Sequence, residues 1–364
     1  MDNIGGVNTF IFELSAAFIK LGYSVDIVTY TSNKPRSFYS EIYSIPIDEI
    51  PKITCLQRNK PVWPPKTSIT NMLLWFFLGS KKVFENKPVL VIVNGMVPLL
   101  RIGRHPVIVA VNHGIVRCSL FERIMLKKIY EWFCDYVITI SDRARYELAS
   151  YYGIRKTKMI KIPLCLNTSR VSRLITSTST ERENAFIHVD TSISKNLVTT
   201  LKTFKVLKEN FGSNIRLYIA GANEQYIKES LSTLGLGSER QIQYLGLITR
   251  DILASFYAKS KACILPSFYE AFPYSLIESM SMGTPAVVSG AIPKELVIHS
   301  YNGYRVNDPL DYKSFAKYIG LLLGNKEIWE KNSENAILTA RKFDCKRIAG
   351  LYLELIKDPP SQLN

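Results

Sequence analysis

Two glutamates eight positions apart, Glu270 and Glu278, sit in the stretch PSFYEAFPYSLIESMSMGTPAVVS (266–289), and neither has a cation close by in sequence. A carboxylate accepts hydrogen bonds from vicinal hydroxyls, as on a ribose. Three further groups invite chemistry. Lys195 follows VDTSIS (189–194) and opens a helical pattern, where it would meet a diphosphate as a point charge. His113 ends a strand-like run in VNHG (111–114). Gly5-Gly6 precedes an apolar helical pattern, so the backbone there can approach a ligand closely and the helix start can face phosphate or sugar oxygens. Each also has a plain reading: a solvated lysine, a satisfied loop histidine and a simple turn.

The elements around the glutamates follow from local signals. CILP (263–266) ends a strand, SFYEAF (267–272) is a loop, and Pro273 suits the first helical position, where its missing N–H would be unpaired anyway. Gly283 stops that helix, and Thr284-Pro285 leads into the strand PAVVSG (285–290). Glu270 therefore borders the strand's carboxyl end. Glu278 lies about a turn and a half into the helix, and its side chain leans back toward the same place. The free N–H groups of the first turn, near Tyr274 and Ser275, face negative charge.

Farther out, Phe10, Leu14, Ala17, Phe18 and Leu21 share one helical face, with Asn8 or Thr9 as the expected N-cap and Gly22 as the stop. VDIVTY (25–30), VLVIVNG (89–95), PVIVAVNHG (106–114) and YVITIS (136–141) read as buried strands. After the polar TSRVSRLITSTSTEREN (168–184) the alternation resumes with AFIHVD (185–190), IRLYIAG (215–221), IQYLG (242–246) and ACILPS (262–267). Near-continuous apolar strands separated by helices predict α/β domains with parallel sheets covered on both faces. The expected division is an N-terminal domain over 1–167, a linker over 168–184, a C-terminal domain over 185–335 and a helical segment over 336–364. In doubly wound folds ligands lie at the carboxyl ends of strands, and the cleft between two such domains is the expected site.

Composition narrows the class. With 47% hydrophobic residues the 364-residue chain should fold, and a net charge of +15 favours polyanionic partners. The six cysteines are scattered without C-x-x-C pairs, as expected of reduced thiols in a cytoplasmic protein. Neither a signal peptide nor an apolar span of bilayer length is expected, and the absence of a recognition motif argues against nucleic acid as partner.

The pattern Glu270-x7-Glu278 in this setting resembles the E-x7-E signature of the retaining GT-B glycosyltransferases of glycosyltransferase family 4. Gly5-Gly6, VNHG with His113, Lys195-Asn196, IAGAN, YLG ending at Gly246, and GAIPKELVIHSYNGYRV (290–306) with Glu295 and Asn302-Gly303 follow in the family's order, across essentially the whole chain. The resemblance implies two Rossmann-like domains facing across a cleft, with a C-terminal helix crossing back to the first. It implies transfer of a hexose-type sugar, with retention, from a donor such as UDP-glucose or GDP-mannose to a glycan or lipid-linked acceptor. No metal and no cofactor beyond the nucleotide-sugar substrate is implied, in keeping with the absence of a D-x-D sequence. Carried over residue by residue, Glu270 borders the donor sugar and stabilises its developing positive charge, Glu278 holds the ribose, and Lys195 neutralises the departing diphosphate. His113 touches the sugar, while Gly5, Gly6, Gly246, Ala271, Phe272, Tyr274, Ser275 and Leu276 line the donor.

Three departures modify that expectation. The chain starts only a few residues before the Gly-Gly loop, so the first, central strand of the N-terminal sheet is expected to be missing. Asp190 and Thr191 stand where relatives usually place an arginine, with Arg216 or Arg250 as candidate substitutes. Ala271 and Pro273 replace the usual loop glycines, and Pro273 offers no N–H to a sugar. RCSLFERIMLKKIYEWF (117–133) and NMLLWFFLGSKKVF (71–84) interleave basic and apolar residues. They face an anionic membrane surface in one reading and merely cover the N-terminal sheet in the other. Two further classes stay open, a sugar-nucleotide epimerase and a degenerate GT-B scaffold that binds nucleotide sugar without turning it over.

Overall fold

The computed structural model describes residues 6–29, 34–55, 80–94, 106–114, 119–168 and 182–357. Gly5, residues 71–79 of the segment 71–84 and residues 169–181 of the segment 168–184 lie outside the described residues. The chain divides into two units, Met1–Cys165 with Cys345–Asn364, and Leu166–Asp344.

In the first unit α1 (Gly6–Lys20) already contains Asn8 and Thr9, so neither is its cap; Thr9 is buried among the helix's packed residues. The strands β1 (Asp26–Thr29) and β2 (Lys52–Cys55) pair in parallel, with α2 (Arg36–Tyr43) between them in the chain. Phe12 of α1 stacks on Tyr39 and Tyr43 of α2, with ring centroids 4.7 and 4.9 Å apart. After α3 (Ser80–Phe84) come β3 (Leu90–Asn94), β4 (Val107–Asn112), α4 (Leu120–Trp132), β5 (Tyr136–Thr139), α5 (Asp142–Glu147) and β6 (Met159–Lys161). Strands β3 to β6 form a second, wholly parallel sheet in chain order, separate from β1 and β2 among the described residues.

The second unit holds one six-stranded parallel sheet built from β7 (Glu183–Val189), β8 (Arg216–Ala220), β9 (Ile242–Gly246), β10 (Ser260–Leu265), β11 (Ala286–Ser289) and β12 (Gly303–Val306). Its spatial order is β12-β11-β10-β7-β8-β9. The chain lays down β7, β8 and β9 in one direction and then crosses to the other side of β7 to start β10. That reversal places a topological switch point between β7 and β10, where their following loops diverge and leave a crevice. Helices α6 (Leu197–Phe211), α7 (Glu224–Thr233), α8 (Arg250–Lys259), α9 (Tyr274–Ser281), α10 (Tyr312–Gly324) and α11 (Lys326–Arg341) complete the unit. Phe186, Leu201, Phe204, Leu217, Ile264, Val287, Phe315 and Ile319 are buried together between sheet and helices. Each such side chain contributes about 1.5–3 kcal/mol through removal from water. Helix α11 spans residue 335, and the unit continues to Asp344.

The last helix, α12 (Cys345–Lys357), belongs to the first unit. There Tyr352 meets Phe18 of α1 edge-on at 6.5 Å, and the Cys345 thiol donates to Glu13 Oε2 at 3.7 Å. A C-terminal helix returned to the first helix of the chain is the arrangement the resemblance implied.

Candidate active site

The switch point is built from the β7 side first. Residue Asp190, just past β7, adopts a left-handed backbone at φ 75°, its N–H donating to Ala220 O at 2.9 Å and its Oδ1 accepting from Ser192 N at 2.9 Å. Beneath it His188 is fully buried, with Nε2 3.0 Å from Asp190 O and Nδ1 2.8 Å from Thr200 Oγ1. Burial lowers the His188 pKa to about 4, so the ring is neutral at pH 7. A carbonyl only accepts, so Nε2 carries the hydrogen and Nδ1 accepts from the Thr200 hydroxyl. This ring therefore fixes the turn from which Lys195 follows.

Asn196 ties that turn to the β10 side. It too is left-handed, at φ 57°, a conformation asparagine tolerates better than most residues. Its Nδ2 donates to Pro266 O at 3.1 Å and Pro309 O at 2.9 Å, while Phe268 N donates to Ser194 O at 2.9 Å. The Ser289 hydroxyl holds Ser267 O at 2.6 Å. The loops after β7, β10 and β12 and the end of β11 are thus tied to one another.

Within that frame Lys195 Nζ pairs with Glu270 Oε1, which also accepts from Ser267 Oγ at 3.0 Å. Glu270 is only 7% exposed, and Asp190 Oδ2 lies 3.9 Å from the same ammonium. Glu278 has its own partner: Arg250, the first residue of α8, places Nη2 2.8 Å and Nε 3.0 Å from Glu278 Oε1. The two glutamates that lacked cations in sequence each meet one in space, 75 residues away for Glu270 and 28 for Glu278.

The expected lining residues divide by burial. Leu276 is fully buried and its amide donates to Pro273 O at 3.2 Å; Phe272 is buried edge-on to Phe343 at 5.4 Å. Ala271, Tyr274 and Ser275 are half-buried around the start of α9. Pro273 is the N-cap rather than the first helical residue, because its ψ of 114° is still extended. Gly283 ends the segment with φ 71°, as expected of a helix stop. Gly246 ends β9 at φ 70° and accepts from Gly221 N at 3.0 Å; a Cβ on Gly221 would lie 2.6 Å from Thr191. Arg216 pairs instead with Glu183, at 3.8 Å.

The first unit holds the other candidates. Gly6 opens α1, and Gly5 lies outside the described residues. His113 Nε2 is 3.0 Å from Asn94 Oδ1, its ring is edge-on to Phe10 at 5.5 Å, and burial lowers its pKa to about 4. It is therefore a neutral donor through Nε2 at pH 7. Asn302 is structural: its side chain bonds Leu296 O at 3.1 Å, Thr339 Oγ1 at 3.0 Å and Ile298 N at 2.8 Å. Glu295 is half-buried near Arg305, which donates to Ile292 O at 2.7 Å.

Sequence reasoning missed Ser267, the His188 support and the Asn196 tie. A histidine inside an otherwise apolar strand, AFIHVD, is the one signal that could have drawn attention to the first of these supports.

Residues 4–170 match "Glycosyltransferase Family 4" and residues 177–342 match "Glycosyl transferases group 1". The chain belongs to this family and is a glycosyltransferase. It is 24% identical over 337 residues to the O-antigen chain mannosyltransferase RfbU of Salmonella typhimurium, covering 88% of each chain. It is 27% identical over 241 residues to a Campylobacter jejuni GalNAc-alpha-(1->4)-GalNAc-alpha-(1->3)-diNAcBac-PP-undecaprenol alpha-1,4-N-acetyl-D-galactosaminyltransferase. That match covers 64% of this chain and 63%, under two thirds, of the relative. Anabaena HepE, solved with UDP and glucose, superposes with a TM-score of 0.73 at 16% identity over 98% of this chain and 97% of its own. WaaG, a glycosyltransferase of lipopolysaccharide biosynthesis, gives 0.65 at 13% identity over 97% and 96%. The fold is accordingly GT-B-like.

Proposed function

We propose that this glycosyltransferase moves a hexose-type sugar from a nucleotide-sugar donor, with retention and without a metal, to a glycan or lipid-linked acceptor. The observation that carries the reading is the placement of Lys195 and Glu270 on the loops after β7 and β10, the two strands flanking the switch point. A ligand at such a point meets both loops at once.

The roles follow from the charges. Glu278, held by Arg250 at 2.8 Å, accepts from the ribose hydroxyls. Lys195 and the start of α9 offer positive charge to the diphosphate, which becomes the leaving group. Glu270 positions the sugar and stabilises the positive charge that grows on it as that bond lengthens. His113 touches the sugar from the first unit as a neutral ring whose one N–H goes to Asn94, which leaves Nδ1 to accept from a sugar hydroxyl. Arg250, a candidate substitute for the arginine that the family pattern places before the lysine, is engaged with Glu278 at 2.8 Å. The acceptor class is drawn from the undecaprenol-linked and O-antigen substrates in the names of the relatives.

A panel of UDP-, GDP- and ADP-sugars tested by thermal shift identifies the donor. One nucleotide class is expected to raise the melting temperature, and the matching sugar to be hydrolysed or transferred. Binding without turnover of any donor would instead favour a scaffold.

A further inference from the structure

A helix packed on one side of a sheet normally turns polar residues to water on the other. Helix α4 departs from this. Its inner face places Leu126, Ile129 and Tyr130 in the core of the first unit. Its outer face exposes Leu120 at 64%, Phe121 at 69%, Ile124 at 49% and Trp132 at 72%. At 100° per residue these four fall within one arc of about 120°, and exposed Lys128 lies inside it with its Nζ 5.4 Å from the Trp132 ring centre. Four large apolar side chains on one outward stripe form a patch of the kind that marks an interaction surface.

The charges around the stripe select the partner. Glu131 falls inside that arc, at about 20°, but is only partly exposed and is paired with Arg155 at 3.5 Å, and Lys158 holds the helix end by donating to Glu131 O and, at 2.8 Å, to Cys134 O. Lys156, between those two residues, is exposed. Basic groups thus gather at the carboxyl end of an apolar face, on a chain of net charge +15.

We propose that the outer face of α4 lies flat in an anionic lipid surface, with Leu120, Phe121, Ile124 and Trp132 in the headgroup–acyl boundary and Lys128 and Lys156 against lipid phosphates. An in-plane helix of this composition gains from buried apolar area and from attraction to anionic lipid together. The inference rests on the reading of a lipid-linked acceptor, which such a surface would present to the enzyme.

Co-sedimentation of the full chain with vesicles of phosphatidylcholine alone, and of equal parts phosphatidylcholine and phosphatidylglycerol, tests it. The chain is expected on the phosphatidylglycerol vesicles at low salt and to come off as salt rises, since screening shortens to about 10 Å at 0.1 M. Phe121→Ser with Trp132→Ser should lower the partition coefficient about tenfold or more at an unchanged melting temperature. Lys128→Gln should lower it about fivefold. Equal binding to both vesicle types, or a Phe121→Ser, Trp132→Ser protein that binds like the parent, would overturn the proposal. So would light scattering that shows a dimer broken by these substitutions without vesicle binding, since a second copy would then cover the face. Donor-induced thermal shift on the same samples keeps the two readings apart: a shift without vesicle binding sinks only the lipid surface, and vesicle binding without any shift sinks only the donor assignment.

Discussion

Lys195 and Glu270 neutralise one another at the switch point, and Arg250 and Glu278 do so beside it. The E-x7-E spacing made both acids legible in the sequence, but their partners were not, because a loop after one strand meets a loop after another only when the sheet order is known. Removing one partner of a buried pair costs about 3–5 kcal/mol when the other charge is stranded. Here the Lys195 side chain is 19% exposed and has Asp190 at 3.9 Å, so loss of Glu270 should cost less than that. His188 makes a pH prediction at the same scale. Its pKa is about 4 in the folded protein against 6.5 for the free ring, so the unfolded chain binds its proton first as pH falls. Stability is full above about pH 6.5 and declines toward about pH 4, by up to about 3 kcal/mol for this ring. His113 carries a similar shift, so His188→Gln should remove roughly half of the combined slope. Urea midpoints at about pH 7.5 and about pH 5 check this, and an unchanged slope would remove His188 from the account.

Among elements, the longer strands were readable because continuous apolar runs such as VIVAVN need burial on both faces. KITC, MIK and GYRV were not anticipated: lysine, arginine or glycine interrupts each apolar run, and pairing with a parallel neighbour decides them. Pro273 was misplaced by one position for a similar reason, since the sequence favours proline near a helix start without fixing ψ. Gly303 shows what the neighbouring strand demands. A Cβ there would lie 2.3 Å from Ala286 O, on the strand it pairs with. Gly303→Ala should therefore cost about 2–3 kcal/mol in urea unfolding by forcing the β11–β12 pair apart. A loss within about 0.5 kcal/mol would show that the edge strand gives way freely.

For the molecule as a whole, alternation of strands and helices announced two α/β units, but it could not announce the order β12-β11-β10-β7-β8-β9. That order brings residue 195 to residue 270. The return of α12 to α1 was implied by family resemblance and has a packing basis in Phe18 and Tyr352. With positive charge on the diphosphate supplied by Lys195 and the start of α9, turnover should be unchanged by EDTA; loss on chelation, restored by a divalent ion, would assign that charge to a metal instead.

The central claim is that Glu270 serves the sugar and Glu278 the nucleotide. Nucleoside diphosphate binding by calorimetry, read beside transfer from the identified donor, tests it in Glu270→Ala and Glu278→Ala proteins whose melting shows them folded. Glu270→Ala is predicted to bind the diphosphate like the parent and to lose about 100- to 1,000-fold in turnover, while Glu278→Ala loses binding itself. Normal transfer by Glu270→Ala, or unaltered diphosphate binding by Glu278→Ala, would contradict the account.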